Sequence, residues 1–148
     1  MFKNNRKNKM DKIEVFFDGS CRPKNPGGII GMGVVIYKND IKLAEASNTL
    51  QPEIFLGKTS NQVAEYEAFI MGLEMLVEYN LYHLPITMLG DSMFVIKQMF
   101  GNWKIKQGFY VDSAIEAKKL LLGFNNITGK WIPREENQVA DELSKSNN

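Results

Sequence analysis

The alternation of hydrophobic and polar residues along the chain predicts nine secondary-structure elements. Residues 13–18 (IEVFFD) are β-branched and aromatic and predict a strand, which the Gly- and Pro-rich segment DGSCRPKNPGG ends. Two apolar stretches between residues 29 and 50 are separated by a polar turn at 38–40 and predict two more strands. The later pattern predicts helices over residues 59–79, 92–100, 109–122 and 135–145 and strands over residues 86–91 and 127–133. The predicted order is β-β-β-α-β-α-α-β-α.

The order of these elements indicates the fold class. Three consecutive strands followed by alternating helices and strands predict an α/β protein with a five-stranded mixed sheet. The first three strands should pair antiparallel, and the later strands should run parallel because helices provide the crossovers. We expect helices on both faces of the sheet.

Composition and charge fit a single globular domain. The chain has 148 residues, of which 44% are hydrophobic and 24% are charged, so we expect residues 12–148 to form one domain. The net charge is only +1, so any binding of nucleic acid must be local rather than a result of overall charge. The single cysteine, Cys21, excludes an intrachain disulfide, and no apolar run is long enough to span a bilayer. We expect a cytoplasmic protein.

The first eleven residues, MFKNNRKNKMD, are polar and basic. We expect a flexible tail, because this segment has almost nothing to bury. Two interpretations are open: a weak tether for nucleic acid, and a solvated terminus.

The helix predicted over residues 59–79 divides its glutamates between two sides. A step of about 100° per residue places Glu67, Glu74 and Glu78 on one side and Glu65 nearly opposite. The side of Glu65 also carries Ala68, Phe69, Gly72 and Leu76. This side should pack on the sheet, where a carboxylate is costly unless it is paired, hydrogen-bonded or bound to metal. The alternative is a glutamate at the edge of the interface that reaches water.

Each of three aspartates has both a functional and a structural interpretation. Asp18 and Asp91 both end predicted strands, which is where open α/β sheets place ligands. The alternative for both is an aspartate that begins a turn or caps a helix. Asp141 lies beside the short apolar stripe of the last helix, and the pattern alone favours a surface acid there.

Carboxylates in a chain with one histidine and one cysteine favour hard, oxygen-preferring cations over zinc. Mg²⁺ is the expected ion, with Mn²⁺ able to substitute. Two such ions about 3.5–4 Å apart can activate a water and stabilise the leaving oxygen of a displacement at phosphorus. The residues therefore predict a metal-dependent nuclease that needs acids and no nucleophilic side chain.

Four motifs follow one another along the chain: FDGSCRPKNPGG, TSNQVAEYEA, LGDSMFVIKQ and WIPREENQVADELS. In this order and spacing they closely resemble type 1 ribonuclease H, over residues 13–145. The resemblance implies the ribonuclease H fold and endonucleolytic hydrolysis of the RNA strand of RNA/DNA hybrids by two metal ions. It also implies products with 5′-phosphate and 3′-hydroxyl ends. The expected partner is an RNA/DNA hybrid, and we expect a monomer.

The resemblance also implies roles for individual residues. The metal ligands and catalytic acids that it implies are Asp18, Glu65, Asp91 and Asp141. The contacts to the hybrid that it implies are Gly19, Ser20, Cys21, Asn25, Asn61 and Gln62. Structural alternatives are open for two of these contacts, because Cys21 suits a small buried site and Asn25 suits a turn.

Residues 97–106, KQMFGNWKIK, combine lysines with a tryptophan. A nucleic-acid backbone that crosses an aromatic surface uses such residues, so we expect Trp103 and Lys104 to contact the DNA strand. The alternative is a tryptophan that fills the core, with solvated lysines around it. Many bacterial relatives have a longer basic protrusion here, so the chain resembles the short form of the family.

The loop before Asp141 lacks the histidine that many members of the family carry there. Arg134 and Glu135 occupy this loop, and we expect them to assist the departing phosphate by charge. The alternative for Glu135 is an acid that stabilises the N-terminus of the last helix.

Overall fold

The computed structural model describes residues 11–146, which form five strands and four α-helices. In chain order these are β1 Ile13–Arg22, β2 Ile29–Lys38, β3 Ile41–Leu50, α1 Asn61–Glu78, β4 Ile86–Gly90, α2 Met93–Phe100, α3 Val111–Leu121, β5 Ile127–Trp131 and α4 Gln138–Lys145. Short 3-10 helices lie at Pro52–Phe55 and Arg134–Glu136. The predicted tail falls outside the described residues except for Asp11. Across the described range, no helix has the length and hydropathy to cross a membrane.

The five strands form one mixed sheet in the order β3-β2-β1-β4-β5. β1 and β3 both pair antiparallel with β2, whereas β1 and β5 both pair parallel with β4. The predicted fold class is therefore confirmed. The pairing of β1 with β4 ends at Phe16 and Leu89. Asp18 and Asp91 each follow this last pair by two residues.

Helices cover both faces of the sheet, as predicted. α1 packs on one face, where Gly72 lies against the side chains of Val15 and Met88. α4 packs on the opposite face, against Gly31 and Gly33 of β2. The sheet is therefore the middle layer of the fold, between α1 on one face and α4 on the other.

The contact between α4 and β2 requires glycine. A β-carbon at Gly31 would lie 1.9 Å from the carbonyl oxygen of Ser144, and one at Gly33 would lie 2.2 Å from that of Ala140. Both contacts are with backbone atoms, which cannot rotate away as a side chain can. The two glycines therefore set the distance between the sheet and the helix that carries Asp141.

Two predicted boundaries differ from the structure by three residues or more, and the others by at most two. The prediction ends the first strand at Asp18, but β1 continues because Arg22 still pairs with Ile29 of β2. Asp18 therefore lies within a strand and not at its end. The prediction also begins the last helix three residues too early, because Arg134–Glu136 forms a 3-10 turn and α4 begins at Gln138.

A short segment, residues 101–110, joins α2 to α3 without regular secondary structure. In this part of the structure no additional helix follows α2, in agreement with the predicted short form.

Candidate active site

Four carboxylates from four different elements line one cleft of about 300 Å³. Asp18 lies on β1, Glu65 on α1, Asp91 directly after β4, and Asp141 on α4. The other residues that line the cleft include Gly19, Ser20, Cys21, Asn61, Arg134 and Lys145. The structure therefore brings together the four acids that sequence analysis selected.

The strand order explains why Asp18 and Asp91 meet. β1 and β4 are parallel neighbours, and both aspartates follow the point where their pairing ends, at Phe16 and Leu89. The separation of two neighbouring strands opens a crevice in a sheet, and such crevices are the usual place for ligands in α/β proteins. Asp18 and Asp91 thus come from adjacent strands and lie at the same end of the β1–β4 pair.

A close backbone contact fixes Glu65 beside β1. A β-carbon at Gly19 would lie 2.2 Å from the carbonyl carbon of Ala64 and 2.5 Å from the amide nitrogen of Glu65. Only glycine lets the start of α1 approach the strand this closely. The Ser60 hydroxyl also accepts the amide hydrogen of Val63 at 3.2 Å and caps the helix. The start of α1 is therefore fixed relative to Asp18 and its neighbours.

Asp18 is the most perturbed acid of the cleft, with only 8% of the residue exposed. Burial has the largest effect on its pKa, followed by the charge of Asp91 and a hydrogen bond with Asp141. Together with the charges of Asp141 and Glu65, they raise the pKa of Asp18 to about 9. In the metal-free protein Asp18 therefore keeps its proton at neutral pH and hydrogen-bonds Asp141.

Glu65 is also a weaker acid than usual. Burial has the largest effect and raises its pKa, a hydrogen bond with Ser92 lowers it, and the charge of Asp91 raises it. The net result is a pKa of about 7. The Ser92 hydroxyl also accepts the amide hydrogen of Val95 at 3.2 Å. Ser92 thus links Glu65 to the first turn of α2.

The pKa of Asp141 shifts in the opposite direction, through its hydrogen bond with Asp18 and through two nearby cations. Burial alone would raise the pKa of Asp141, but hydrogen bonds with Asp18 and Lys145 and the charges of Lys145 and Arg134 lower it below its ordinary value. Lys145 Nζ lies 3.1 Å and Arg134 Nη2 lies 3.9 Å from Asp141 Oδ1. These cations offset part of the negative charge of the cleft.

Asn137, which sequence analysis did not select, holds Asp91. Asn137 is 1% exposed, and its Nδ2 donates to Asp91 Oδ1 at 2.9 Å and to the carbonyl oxygen of Phe17 at 3.0 Å. Trp131 Nε1 donates to the backbone carbonyl of Asp91 at 3.2 Å. In the sequence Asn137 resembles an ordinary N-cap, but its side chain makes no capping hydrogen bond to α4. Only the packing of α4 on the sheet reveals its role.

Substitution of Asn137 tests this arrangement. Asn137→Ala should lower the free energy of unfolding by about 1–3 kcal/mol, because the buried Phe17 carbonyl loses its donor. Asn137→Asp should lower it more at pH 7, because it adds a buried carboxylate beside Asp91. Urea unfolding of the metal-free protein measures both, with Asn48→Asp at an exposed position of β3 as the control for added charge. Wild-type stability of Asn137→Asp would show that the amide does not hold Asp91.

The donor set of the cleft fits a hard divalent cation. Four carboxylates supply only oxygen ligands, and burial together with the neighbouring carboxylates disfavours the ionised forms of Asp18 and Glu65, which a bound cation would favour. Among residues 11–146, however, no three His, Cys, Asp or Glu side chains already stand in a metal-binding arrangement. The carboxylates would therefore have to turn toward a bound cation.

The predicted contacts to the hybrid divide between the cleft and a neighbouring groove. Those that line the cleft are Gly19, Ser20, Cys21 and Asn61. Those that line the groove, of about 670 Å³, are Gln62, Trp103 and Lys104. The structure therefore places Gln62 with Trp103 and Lys104 and not with Asn61.

Hydrogen bonds connect the loop after β1 to α1. Asn25 Oδ1 accepts the amide hydrogen of Asn61 at 3.0 Å, and Asn61 Oδ1 accepts that of Cys21 at 3.2 Å. Asn25 thus ties the loop to the helix. The Cys21 thiol is buried and donates to the carbonyl oxygen of Lys24 at 3.3 Å, so its side chain fills a small buried site, and the backbone is the part of this residue that suits a contact.

The exposure of Trp103 and the positions of Arg134 and Glu135 decide between interpretations that the sequence left open. Trp103 is 48% exposed, so the interpretation of a tryptophan that fills the core is wrong. Arg134 lines the carboxylate cleft, whereas Glu135 lines a separate cavity of about 410 Å³ together with Glu14 and Tyr37. The structure does not bring Glu135 to the four acids.

Comparison with known proteins identifies the family. Residues 16–147 match the family model described as "Reverse transcriptase-like". Ribonuclease H from Mannheimia succiniciproducens is 32% identical over 149 residues, which cover 90% of this chain and 85% of that protein. The chain belongs to the ribonuclease H family. The predicted resemblance to type 1 ribonuclease H is thereby confirmed.

Other members of the ribonuclease H family extend the comparison. Bifunctional protein Rv2228c from Mycobacterium tuberculosis is 33% identical over 135 residues, 90% of this chain and 34% of that protein. The chain spans about a third of the length of the first curated relatives it matches. The crystal structure of LC11-RNase H1 in complex with RNA/DNA hybrid has a TM-score of 0.79 and 32% identity, covering 90% of this chain and 94% of that chain. The ribonuclease H fold of this chain is confirmed.

Proposed function

We propose that this protein is an endoribonuclease that hydrolyses the RNA strand of RNA/DNA hybrids. The observation that carries the proposal is the convergence of Asp18, Glu65, Asp91 and Asp141 in one cleft. Family membership supports it, as does the similarity to LC11-RNase H1, which was solved with an RNA/DNA hybrid. The neighbouring groove, which Gln62, Trp103 and Lys104 line, adds a second polar and aromatic surface beside the cleft.

The four acids would hold two Mg²⁺ ions, with Mn²⁺ able to substitute. When bound, the ions supply an activated water and stabilise the leaving oxygen of an in-line displacement at phosphorus. Water adds to the phosphorus and the bond to the 3′ oxygen breaks, which leaves 5′-phosphate and 3′-hydroxyl ends. Arg134 and Lys145 flank Asp141, and we assign them the attraction of the cleaved phosphate by charge. Glu135 would have to turn from its own cavity to share this auxiliary role.

The two surfaces suit the two strands of a hybrid. Recognition of RNA requires contact with the 2′-hydroxyl in a wide and shallow minor groove, and the polar segment 19–21 with Asn61 suits that contact beside the acids. Gln62, Trp103 and Lys104 suit the DNA strand, because an exposed ring and a cation can hold a backbone without reading its sequence.

Cleavage of a 5′-labelled RNA strand in an RNA/DNA hybrid tests the proposal. We expect cutting of the hybrid but not of single-stranded RNA, and loss of cutting in chelator. Asp91→Asn should reduce the rate at least about 10³-fold, because it removes a carboxylate from the cleft. Asp40→Asn is the matched control, since Asp40 is exposed in the turn between β2 and β3 and should cut at the wild-type rate.

Two results would contradict the proposal. Preferential cutting of duplex DNA or duplex RNA would indicate another nuclease on the same fold. Binding of the hybrid without cutting, in Mg²⁺ and in Mn²⁺, would indicate a noncatalytic nucleic-acid-binding domain.

The proposal includes a single catalytic domain, residues 12–148, that acts as a monomer in the cytoplasm. One continuous hydrophobic core supports the single domain. A molar mass of 16.9 kDa by light scattering would support the monomer, and a molar mass twice as large would contradict it.

A further inference from the structure

Three buried polar side chains form a network beneath the groove that Trp103 and Lys104 line. Tyr66 Oη donates to Gln98 Oε1 at 2.6 Å, and Gln98 Nε2 donates to Tyr110 Oη at 3.2 Å. The exposed fractions are 0% for Tyr66, 3% for Gln98 and 3% for Tyr110. Because these residues lie on α1, on α2 and just before α3, the network joins three separate parts of the chain.

The network continues into the backbone of the loop that forms one wall of the groove. Gln98 Nε2 also donates to the carbonyl oxygen of Lys104 at 2.9 Å, and the amide of Lys106 donates to Tyr110 Oη at 2.7 Å. Residues 101–110 have no helix or strand of their own to satisfy their backbone groups. The amides of Gly101 and Trp103 donate to the carbonyl oxygen of Lys97 at the start of the loop. Beyond them, Gln98 and Tyr110 hold the backbone at Lys104 and Lys106.

The amide of Gln98 has one orientation that fits. Burial raises the pKa of the Tyr66 hydroxyl, so Tyr66 stays protonated and donates to Oε1. The amide nitrogen must then face the loop, where Lys104 and Tyr110 accept both of its hydrogens. A carboxylate or an apolar side chain of the same length cannot make these bonds.

Aromatic packing fixes the hydroxyl of Tyr110. Its ring stacks on that of Tyr66 with the centroids 5.9 Å apart, and the ring of Phe94 packs against it edge-on at 4.7 Å. The hydroxyl therefore stays between the side chain of Gln98 and the amide of Lys106. The loop is tied to a rigid part of the core.

The side chains of the loop remain outside this network. Trp103 is 48% exposed, and Lys104 and Lys106 are exposed and line the groove with Gln62. A buried polar network is costlier to form than an apolar core of the same volume. Here it fixes the backbone of the loop while its aromatic and basic side chains face the groove.

We propose that Gln98, oriented by Tyr66 and bonded to Tyr110 and the loop, is a positioning residue for the groove that takes the DNA strand. This inference rests on the proposed function, because it assigns Trp103 and Lys104 to the DNA strand of a hybrid. Tyr66 directly follows Glu65 on α1, so the network also sets the position of the groove relative to the carboxylate cleft.

The decisive variant is Gln98→Met, which preserves the length and approximate volume of the side chain and removes every hydrogen bond of the amide. We expect the KM for the hybrid to rise about ten-fold with kcat within about two-fold of the wild type, because binding is lost and the acids are untouched. The dependence of log KM on log salt should also become shallower, because Lys104 no longer holds a fixed phosphate contact. Tyr110→Phe should show the same change to a smaller degree.

Ser113→Ala is the matched control for stability. The buried Ser113 hydroxyl on α3 donates to Glu67 Oε2 on α1 at 2.7 Å. Its removal therefore weakens the contact between α3 and α1, and this bond does not involve residues 101–110. We expect its KM and salt dependence to match the wild type. A KM for Gln98→Met no higher than that of Ser113→Ala would overturn the positioning role.

Amide hydrogen exchange tests the same inference without any cleavage. The Lys106 amide should exchange slowly in the wild type and much faster in Tyr110→Phe, which keeps the packed ring and so protects the fold. Fast exchange in the variant supports the network, and unchanged exchange overturns it. Absence of hybrid cleavage by the wild type would instead overturn the proposed function, so the two failures are distinguishable.

Discussion

Asp18→Asn is expected to stop hybrid cleavage while it stabilises the metal-free protein. The substitution removes a carboxylate from the cleft, so the rate should fall at least about 10³-fold. It also replaces the acid that burial and the charge of Asp91 disfavour most in its ionised form. At pH 7 the gain in the free energy of unfolding should be on the order of 3 kcal/mol. Urea unfolding in chelator, together with the labelled-hybrid assay, measures both effects.

The pH dependence of stability separates this explanation from a general change in packing. The pKa of Asp18 is about 9 in the folded protein, against an ordinary value of 3.8, so its contribution falls as pH rises from about 4 to about 9. Below this range the carboxyl is protonated in both states and contributes no slope. Asp18→Asn should lose this part of the slope, whereas the exposed Asp40→Asn should keep it. Identical slopes for Asp18→Asn and the wild type would contradict the electrostatic account.

Gly33→Ala is expected to disable the cleft without touching a carboxylate. The added β-carbon would lie 2.2 Å from the carbonyl oxygen of Ala140 and 2.6 Å from the amide nitrogen of Ser144. Because both neighbours are backbone atoms of α4, the helix must move away and carry Asp141 with it. We expect a loss of about 1–3 kcal/mol in the free energy of unfolding. A shift of about 1 Å at Asp141 should reduce kcat about 10²-fold.

The matched control for Gly33→Ala is Gly123→Ala. Gly123 follows α3, and an added β-carbon there would lie 3.5 Å from the carbonyl oxygen of Leu120, an ordinary contact. Unfolding and cleavage should both stay close to the wild type in this control. A folded Gly33→Ala protein with wild-type kcat would show that the position of α4 does not govern the site.

The sequence predicted those features of the site that follow from local pattern. Helical periodicity alone isolated Glu65 from the other glutamates of α1, because its side of the helix is otherwise small and apolar. Asp18 and Asp91 were found from strand composition, even though β1 extends past Asp18 through its pairing with β2. Asp141 has no comparable local signal, and only the resemblance to a family selected it.

The remaining features depend on contacts between distant parts of the chain. Asn137 looks like a helix cap in sequence, and its bond to Asp91 arises only when α4 packs on the sheet. Gln98 is one of two polar residues in α2, beside Lys97, and its partners lie 32 residues before it and 12 after it. Neighbours in sequence can also face different spaces, as Arg134 and Glu135 do. Periodicity cannot resolve such differences within a 3-10 turn of three residues.

The four acids belong to four elements that are separated widely along the chain, and α4 contributes the last of them. A ribosome that has made β1, α1 and β4 has supplied three carboxylates, but the cleft still lacks Asp141, the cations beside it and the Asn137 amide that holds Asp91. Since domains fold as units during synthesis, the nascent chain passes through an inactive stage that lasts until α4 emerges and docks on β2. Under the proposed function, a chain that ends before α4 therefore lacks a complete site, and the site is assembled in the same step in which α4 docks on the sheet.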